Sequence, residues 1–174
     1  MLIGKYRILN TLGEGGMGTA RLAEGPDGKL VVLKTTIRDS KDLEDRLIDE
    51  ARIGMRIDHP NIVKTVELIW HDMRPVLVID YINGVSFSEI LRDQPIPTSI
   101  LARFGRQITS ALSTLHNAQD ENGDPLNIVH RDVTPSNIMI DENGCARLID
   151  LGIARFARSM ADKTKTGCVR GTLR

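Results

Sequence analysis

His130-Arg131-Asp132-Val133-Thr134-Pro135-Ser136-Asn137 leads into Ile138–Ile140, then Asn143-Gly144, then Cys145–Ile149 and Asp150-Leu151-Gly152. Two short apolar runs joined through Asn-Gly predict a hairpin with a two-residue turn, and such a turn sets the register. Counting outward, Glu142 faces Cys145, Ile140 faces Arg147 and Asn137 faces Asp150. Opposed residues hold their Cβ atoms about 5 Å apart. An amide oxygen and a carboxylate at that separation can clamp a hard cation, and Mg²⁺ with phosphate is the natural guest. Simple capping of the two strand ends is the ordinary alternative. Asp132 projects from the loop that enters this hairpin, where a carboxylate can orient an incoming hydroxyl and accept its proton.

Toward the N-terminus the pattern is strand-like. Tyr6–Leu12 runs into Gly13-Glu14-Gly15-Gly16-Met17-Gly18, followed by Thr19–Glu24, the turn Gly25-Pro26-Asp27-Gly28, and Leu30–Thr35. A dinucleotide site needs its glycines between a strand and a helix, and a Walker loop needs Gly-Lys-Ser/Thr. Neither applies here, which leaves a glycine hairpin able to fold over phosphates, or a mere turn. Lys34 closes the next apolar strand, a place where many lysines are simply solvated. Ser40 reads as the N-cap of a helix with Asp42 and Glu44 in its first turn and Leu43, Leu47, Ala51 and Gly54 at helical spacing. Glu50 lies beside that apolar stripe, placed to turn inward and pair with Lys34. His59-Pro60-Asn61 ends the helix, and Ile62–Ile69 and Val76–Ile82 predict two further strands before Asn83-Gly84. Beyond Gly84 the chain becomes helical: Leu101, Phe104, Ile108, Ala111 and Leu115 trace one face up to His116, and a polar loop follows at 120–125. The change of character near residues 82–85 predicts two lobes joined by a short hinge.

Length and composition set the outer bounds. The 174 residues suffice for one domain or two small lobes, with 41% hydrophobic and 26% charged residues. Lys+Arg and Asp+Glu both total 23, and this zero balance argues against a general nucleic-acid or polybasic membrane binder. No apolar run is long enough to span a bilayer, and the first residues are no signal peptide. Cys145 and Cys168 are too few for a disulfide framework and read as ordinary thiols of a reducing, cytoplasmic compartment.

Taken in order, a glycine loop, a lysine with a carboxylate partner, a base and a metal clamp resemble the eukaryotic-type protein kinase family, above all its bacterial serine/threonine members. The resemblance covers the whole chain. It implies an α+β, protein kinase-like two-lobed fold, with a β-rich N-lobe over 1–82 and an incomplete helical C-lobe over 83–174. It implies ATP and Mg²⁺ as cofactors, and contacts to the nucleotide from Leu12, Gly13, Gly15, Gly18, Ala20, Val32, Lys34, Asp80, Ile82 and Met139. Ile79 takes the gatekeeper position, and Asp80–Ile82 face the adenine. Asp132 is then the catalytic base, Lys34 with Glu50 the phosphate lysine and its partner, and Asn137 with Asp150 the Mg²⁺ ligands. Thr164 and Thr166 fall in a stretch that resembles the activation segment, as phosphate acceptors, with Arg131 the group a phosphorylated loop would pair with. Gly171-Thr172 and Pro135 favour serine/threonine as acceptor, so the implied partners are protein substrates with Ser/Thr hydroxyls, and a dimer is one route to autophosphorylation.

Some positions depart from the family. Thr134 stands where serine/threonine members carry a lysine, and loss of that cation is expected to slow transfer more than ATP binding. Leu151 replaces Phe, Ala20 and Val32 exchange the usual pair above the adenine at nearly equal volume, and Gly54 stands where a bulky residue normally joins the helix to the metal triplet. The chain stops at Arg174 within the activation segment, so the expectation is an N-terminal kinase fragment. Two other functions remain open: a non-catalytic nucleotide-binding or scaffolding fragment, favoured by Thr134 and Gly54, and a small-molecule phosphotransferase, disfavoured by Arg131 and the threonine segment.

Overall fold

A computed structural model describes residues 1–16, 18–36, 40–93 and 95–151. Thr164, Thr166, Gly152, Cys168 and the rest of the segment expected to carry phosphate lie outside the described residues.

The N-terminal half folds into a six-stranded sheet of order β1-β2-β3-β4-β6-β5. Its strands are β1 (Leu2–Ile3), β2 (Tyr6–Glu14), β3 (Gly18–Glu24), β4 (Leu30–Thr36), β5 (Thr65–His71) and β6 (Arg74–Asp80), and every pairing is antiparallel. Alternation along the strands feeds two cores. Leu33, Val31 and Ala23 join Ile3, Tyr6, Val76 and Val78 on the back face. Val32, Leu77 and Ile79 pack on the front face with Leu47 and Ala51 of α1 (Lys41–Gly54). Gly18 has a packing reason to lack a side chain, because a Cβ there would stand 2.1 Å from the Thr35 carbonyl oxygen.

Helix α1 turns Leu47, Ala51 and Gly54 inward, places Asp42 and Glu44 at its positive end, and pairs Arg46 with Asp42 at 2.7 Å. Ser40 sits at the expected N-cap in extended backbone and its carbonyl accepts from Leu43 and Glu44, yet its hydroxyl makes no capping bond. The helix ends at Gly54, ahead of His59-Pro60-Asn61, because the chain must already turn to bring Ile62 and Val63 beside Leu148.

The second lobe holds β7 (Gly84–Ser86), α2 (Phe87–Asp93), α3 (Thr98–His116), a 3₁₀ turn at Pro135–Asn137, β8 (Ile138–Asp141) and β9 (Ala146–Leu148), with β7, β8 and β9 in one sheet. Phe104, Ile108, Ala111 and Leu115 bury the predicted face of α3 against Ile128, Ile138, Ile140 and Leu148. Leu101, predicted on that face, is 40% exposed, so the buried stripe starts only at Phe104. Phe87 meets Phe104 edge-to-face at 5.7 Å and ties α2 to α3. No described helix is long and apolar enough to cross a membrane.

The hairpin register differs from the expectation by one residue. Ile138 pairs with Leu148, Met139 with Arg147 and Ile140 with Ala146. Asp141 donates its N–H to the Cys145 carbonyl, and Ile149 donates to the Asn137 carbonyl. Asn137 therefore lies opposite Ile149, not Asp150. The loop holds three residues, Glu142 to Gly144, with Gly144 in the left-handed region at φ +69°. The cause is Asp141, whose Oδ1 accepts from the N–H groups of Asn143 and Cys145 and so closes a wider turn than Asn-Gly alone would make.

Candidate active site: a nucleotide-sized cleft with a lysine–carboxylate cluster

Between the lobes lies a cleft of about 410 Å³. Its roof comes from the sheet: Leu12 and Gly13 of β2, Ala20 of β3, and Val32 and Lys34 of β4. Alternation explains the set, since Ala20, Val32 and Lys34 share the front face while Leu33 and Thr35 point to the back. Ile79, Asp80, Tyr81 and Ile82 form the rear wall, and Met139 of β8 lies on the floor. Gly15 and Gly18 stay outside this wall, at the hairpin tip, where each N–H donates to the other's carbonyl at 2.9 and 3.3 Å. Val63, Gly84, Glu89 and Ile149 also line the cleft and were not singled out in the sequence. Glu89 had a legible signal, because Ser86-x-x-Glu89 is a capping box: its carboxylate accepts from both the N–H and the hydroxyl of Ser86 at 2.8 Å. Those bonds hold the carboxyl of Glu89 below its usual pKa, so it stands as an anion at the mouth.

At the inner end, Lys34 Nζ lies 2.8 Å from Glu50 Oε1 and 3.7 Å from Asp150 Oδ2. The lysine and Glu50 side chains are only 20% and 16% exposed. Burial opposes the ammonium, but the carboxylates of Glu50 and Asp150 outweigh it and hold Lys34 above the ordinary lysine value. Burial also pushes Glu50 upward, with Lys34 opposing and the charge of Asp150 adding to the rise. The cluster thus carries one fixed cation against two carboxylates, and it needs all three elements: β4, α1 and the segment after β9.

The loop before β8 brings Asp132 and Asn137 together. Asn137 Nδ2 donates to the Asp132 carbonyl at 3.0 Å and to its Oδ2 at 2.9 Å. Arg131 holds a left-handed backbone at φ +63°, an uncommon state for a long side chain that persists only where surroundings enforce it. On its N-terminal side His130 is 1% exposed, and its Nδ1 accepts from the Asp132 N–H at 3.4 Å. Burial pulls the imidazole of His130 below its usual pKa. Thr134 opens the 3₁₀ turn through its carbonyl, which accepts from the Asn137 N–H at 3.0 Å. Among the described residues no three His, Cys, Asp or Glu side chains gather into a ready-made metal centre.

The model of the protein kinase domain matches residues 6–172, nearly the whole chain. The chain belongs to the protein kinase family. Two bacterial kinases illustrate the relationship. The tyrosine-protein kinase MasK of Myxococcus xanthus is 34% identical over 97% of this chain, and the serine/threonine-protein kinase PrkC of Bacillus subtilis is 33% identical over 99%. The chain spans only 28% and 27% of those kinases' own lengths. A solved structure, the PpkA-294 apo form, superposes with a TM-score of 0.74 over 95% of this chain and 65% of its own, at 22% identity. This last likeness concerns the fold, and it matches the two-lobed, α+β kinase architecture seen here.

Proposed function

We propose that this chain carries the nucleotide-binding and phosphoryl-transfer centre of a serine/threonine protein kinase, moving the γ-phosphate of ATP to protein Ser/Thr hydroxyls. The observation that carries this reading is Lys34, held between Glu50 and Asp150 on the wall of a cleft of nucleotide size. A buried ammonium kept charged by carboxylates is suited to grip phosphate oxygens, and in phosphoryl transfer most of the acceleration comes from such positioning and electrostatics. Residues 1–82 would supply the roof and residues 83–174 the floor and loop, working in the cytoplasm where ATP is available.

The roles follow from the donor sets. Ala20, Val32, Ile79 and Met139 offer an apolar slot for the adenine, with the backbone of Asp80–Ile82 along its edge. Asp132 accepts the proton of the substrate hydroxyl, and its carboxylate is oriented by the Asn137 amide. With its nitrogen committed to Asp132, Asn137 has its carbonyl oxygen left as a hard donor, and Asp150 adds a carboxylate. These suit Mg²⁺, which keeps waters and substrate phosphates among its ligands and needs few protein groups. When bound, the ion would neutralise charge on the phosphates. Thr134 supplies a hydroxyl where a cation would serve transfer better.

The test is intact-mass spectrometry of the purified chain after incubation with Mg·ATP, beside an Asp132→Asn control. Phosphate added to the parent and not to the control, on Thr164 or Thr166, supports the reading; phosphotyrosine would move the acceptor class toward that of MasK. ATP binding without any transfer would favour a non-catalytic nucleotide-binding role, for which Thr134 and Gly54 speak.

A further inference from the structure

Asn83-Gly84 stands between the end of β6 and the start of β7, where the first lobe hands over to the second. Backbone register leaves its glycine nitrogen free. Bonded and non-bonded pairs alternate along an antiparallel ladder. Glu142 donates its N–H to the Asn83 carbonyl at 3.1 Å, so the next pair, Gly84 with Asp141, is a non-bonded one. Strand β7 lies at the sheet edge, and the Gly84 N–H has no acceptor among the described residues. Packing also fixes the residue type, because a Cβ at position 84 would stand 2.1 Å from the Ile140 carbonyl oxygen. Asn83 is exposed, and its Nδ2 donates to Glu142 Oε2 at 2.8 Å.

An asparagine followed by glycine can close on itself, because no side chain on the second residue hinders its nitrogen. The Gly84 nitrogen loses its proton to solvent and bonds to Cγ of Asn83. The bond from Cγ to Nδ2 then breaks, and ammonia leaves with a proton taken from solvent. Water opens the resulting succinimide at either carbonyl, giving aspartate or isoaspartate. One water is consumed and one ammonia released, with no oxidant or reductant, so the step stands apart from phosphoryl transfer. Two further Asn-Gly pairs occur, Asn122-Gly123 and Asn143-Gly144, each inside an Asp-Glu-Asn-Gly turn. There the reacting nitrogens are committed: Gly123 donates to the Asp120 carbonyl at 3.1 Å and Gly144 to the Asp141 carbonyl at 2.8 Å. At Asn83 the nitrogen is free, and the restraint falls instead on the side chain, where Glu142 holds the atom that must leave.

We propose that Asn83-Gly84 is a self-modifying site at the link between the lobes, with Glu142 as its guard. Conversion replaces a hydrogen-bond donor facing Glu142 with a second carboxylate, and isoaspartate adds a methylene to the main chain just ahead of β7. The full chain is aged at mildly alkaline pH, and peptide mapping by mass spectrometry follows each of the three asparagines. The expected result is severalfold faster loss at Asn83 than at Asn122 or Asn143, with the three rates converging when the chain is aged in urea. Glu142→Ala is expected to speed loss at Asn83 severalfold and to leave Asn122 unchanged, which also shows that the fold is intact. Glu142→Gln keeps an acceptor for the Asn83 amide and should stay near the parent rate. No loss at Asn83, or loss at Asn122 or Asn143 as fast as at Asn83, overturns the site. An unchanged or slower rate in Glu142→Ala overturns the guard.

Discussion

Lys34 shows how a single side chain takes its meaning from partners far away in sequence. Its charge is tolerable in the wall of the cleft only because Glu50 and Asp150 face it. Removing one partner of such a pair leaves the other buried without compensation, at a cost of about 3–5 kcal/mol. Lys34→Met is therefore expected to destabilise the chain by roughly that amount in urea melts. Lys34→Met combined with Glu50→Leu should recover most of the loss, while nucleotide binding stays absent in both. The lysine and its helix partner were legible in the sequence because strand end and helical spacing place them independently. Glu89 escaped notice because α2 is short and its apolar pattern weak, although its capping box was there to be read.

At the scale of elements, turns and close approaches decide what propensity leaves open. The β8–β9 hairpin takes its register from the carboxylate of Asp141, which also pairs with Arg147 at 3.1 Å. Burial works against that charge, yet the Cys145 N–H, the Arg147 guanidinium and the Asn143 N–H outweigh it and hold its pKa below the ordinary aspartate value. A depressed carboxyl pKa contributes stability that is present above the unfolded value and lost as pH falls through the folded one. Asp141→Asn should thus cost about 1 kcal/mol at neutral pH, and the gap to the parent should narrow as melts are repeated below pH 4. Packing of α1 on β5 offers a second case. A Cβ on Gly54 would stand 2.1 Å from Thr65 Oγ1 and 3.0 Å from its Cβ. Gly54→Ala is expected to cost about 1–3 kcal/mol by overpacking, and Thr65→Ala in the same chain should return part of it, as thermal melts of the four variants would show.

For the whole molecule, the link between lobes runs through a few buried backbone groups. Val63 donates to the Leu148 carbonyl at 2.7 Å, Leu148 to the Asn61 carbonyl at 2.9 Å, and the Asn61 amide to the Ala146 carbonyl at 2.8 Å. These bonds pin β9, which leads into Asp150 and Leu151, beneath the sheet that carries Lys34. Asn61→Ala leaves the Ala146 carbonyl without a partner and should cost about 1–3 kcal/mol. Hydrogen exchange at the Val63 and Leu148 amides should quicken together, while exchange within the β2–β3 hairpin stays unchanged.

Alternation and helical spacing, read along the chain, determined most strands of the first lobe, the buried stripe of α3, and the lysine–glutamate pair, because each is a local pattern of apolar and polar residues. Tertiary structure decided the rest. Strands β1 and β7 are too short to announce themselves, and each exists only because a neighbouring edge supplies its hydrogen bonds. Asn137 lies opposite Ile149 and not Asp150 because one carboxylate, Asp141, widened a turn that dipeptide preference alone would have kept tight. The cleft has no linear signature at all: it forms where residues of β2, β3, β4, β6 and β8, far apart in the chain, come together.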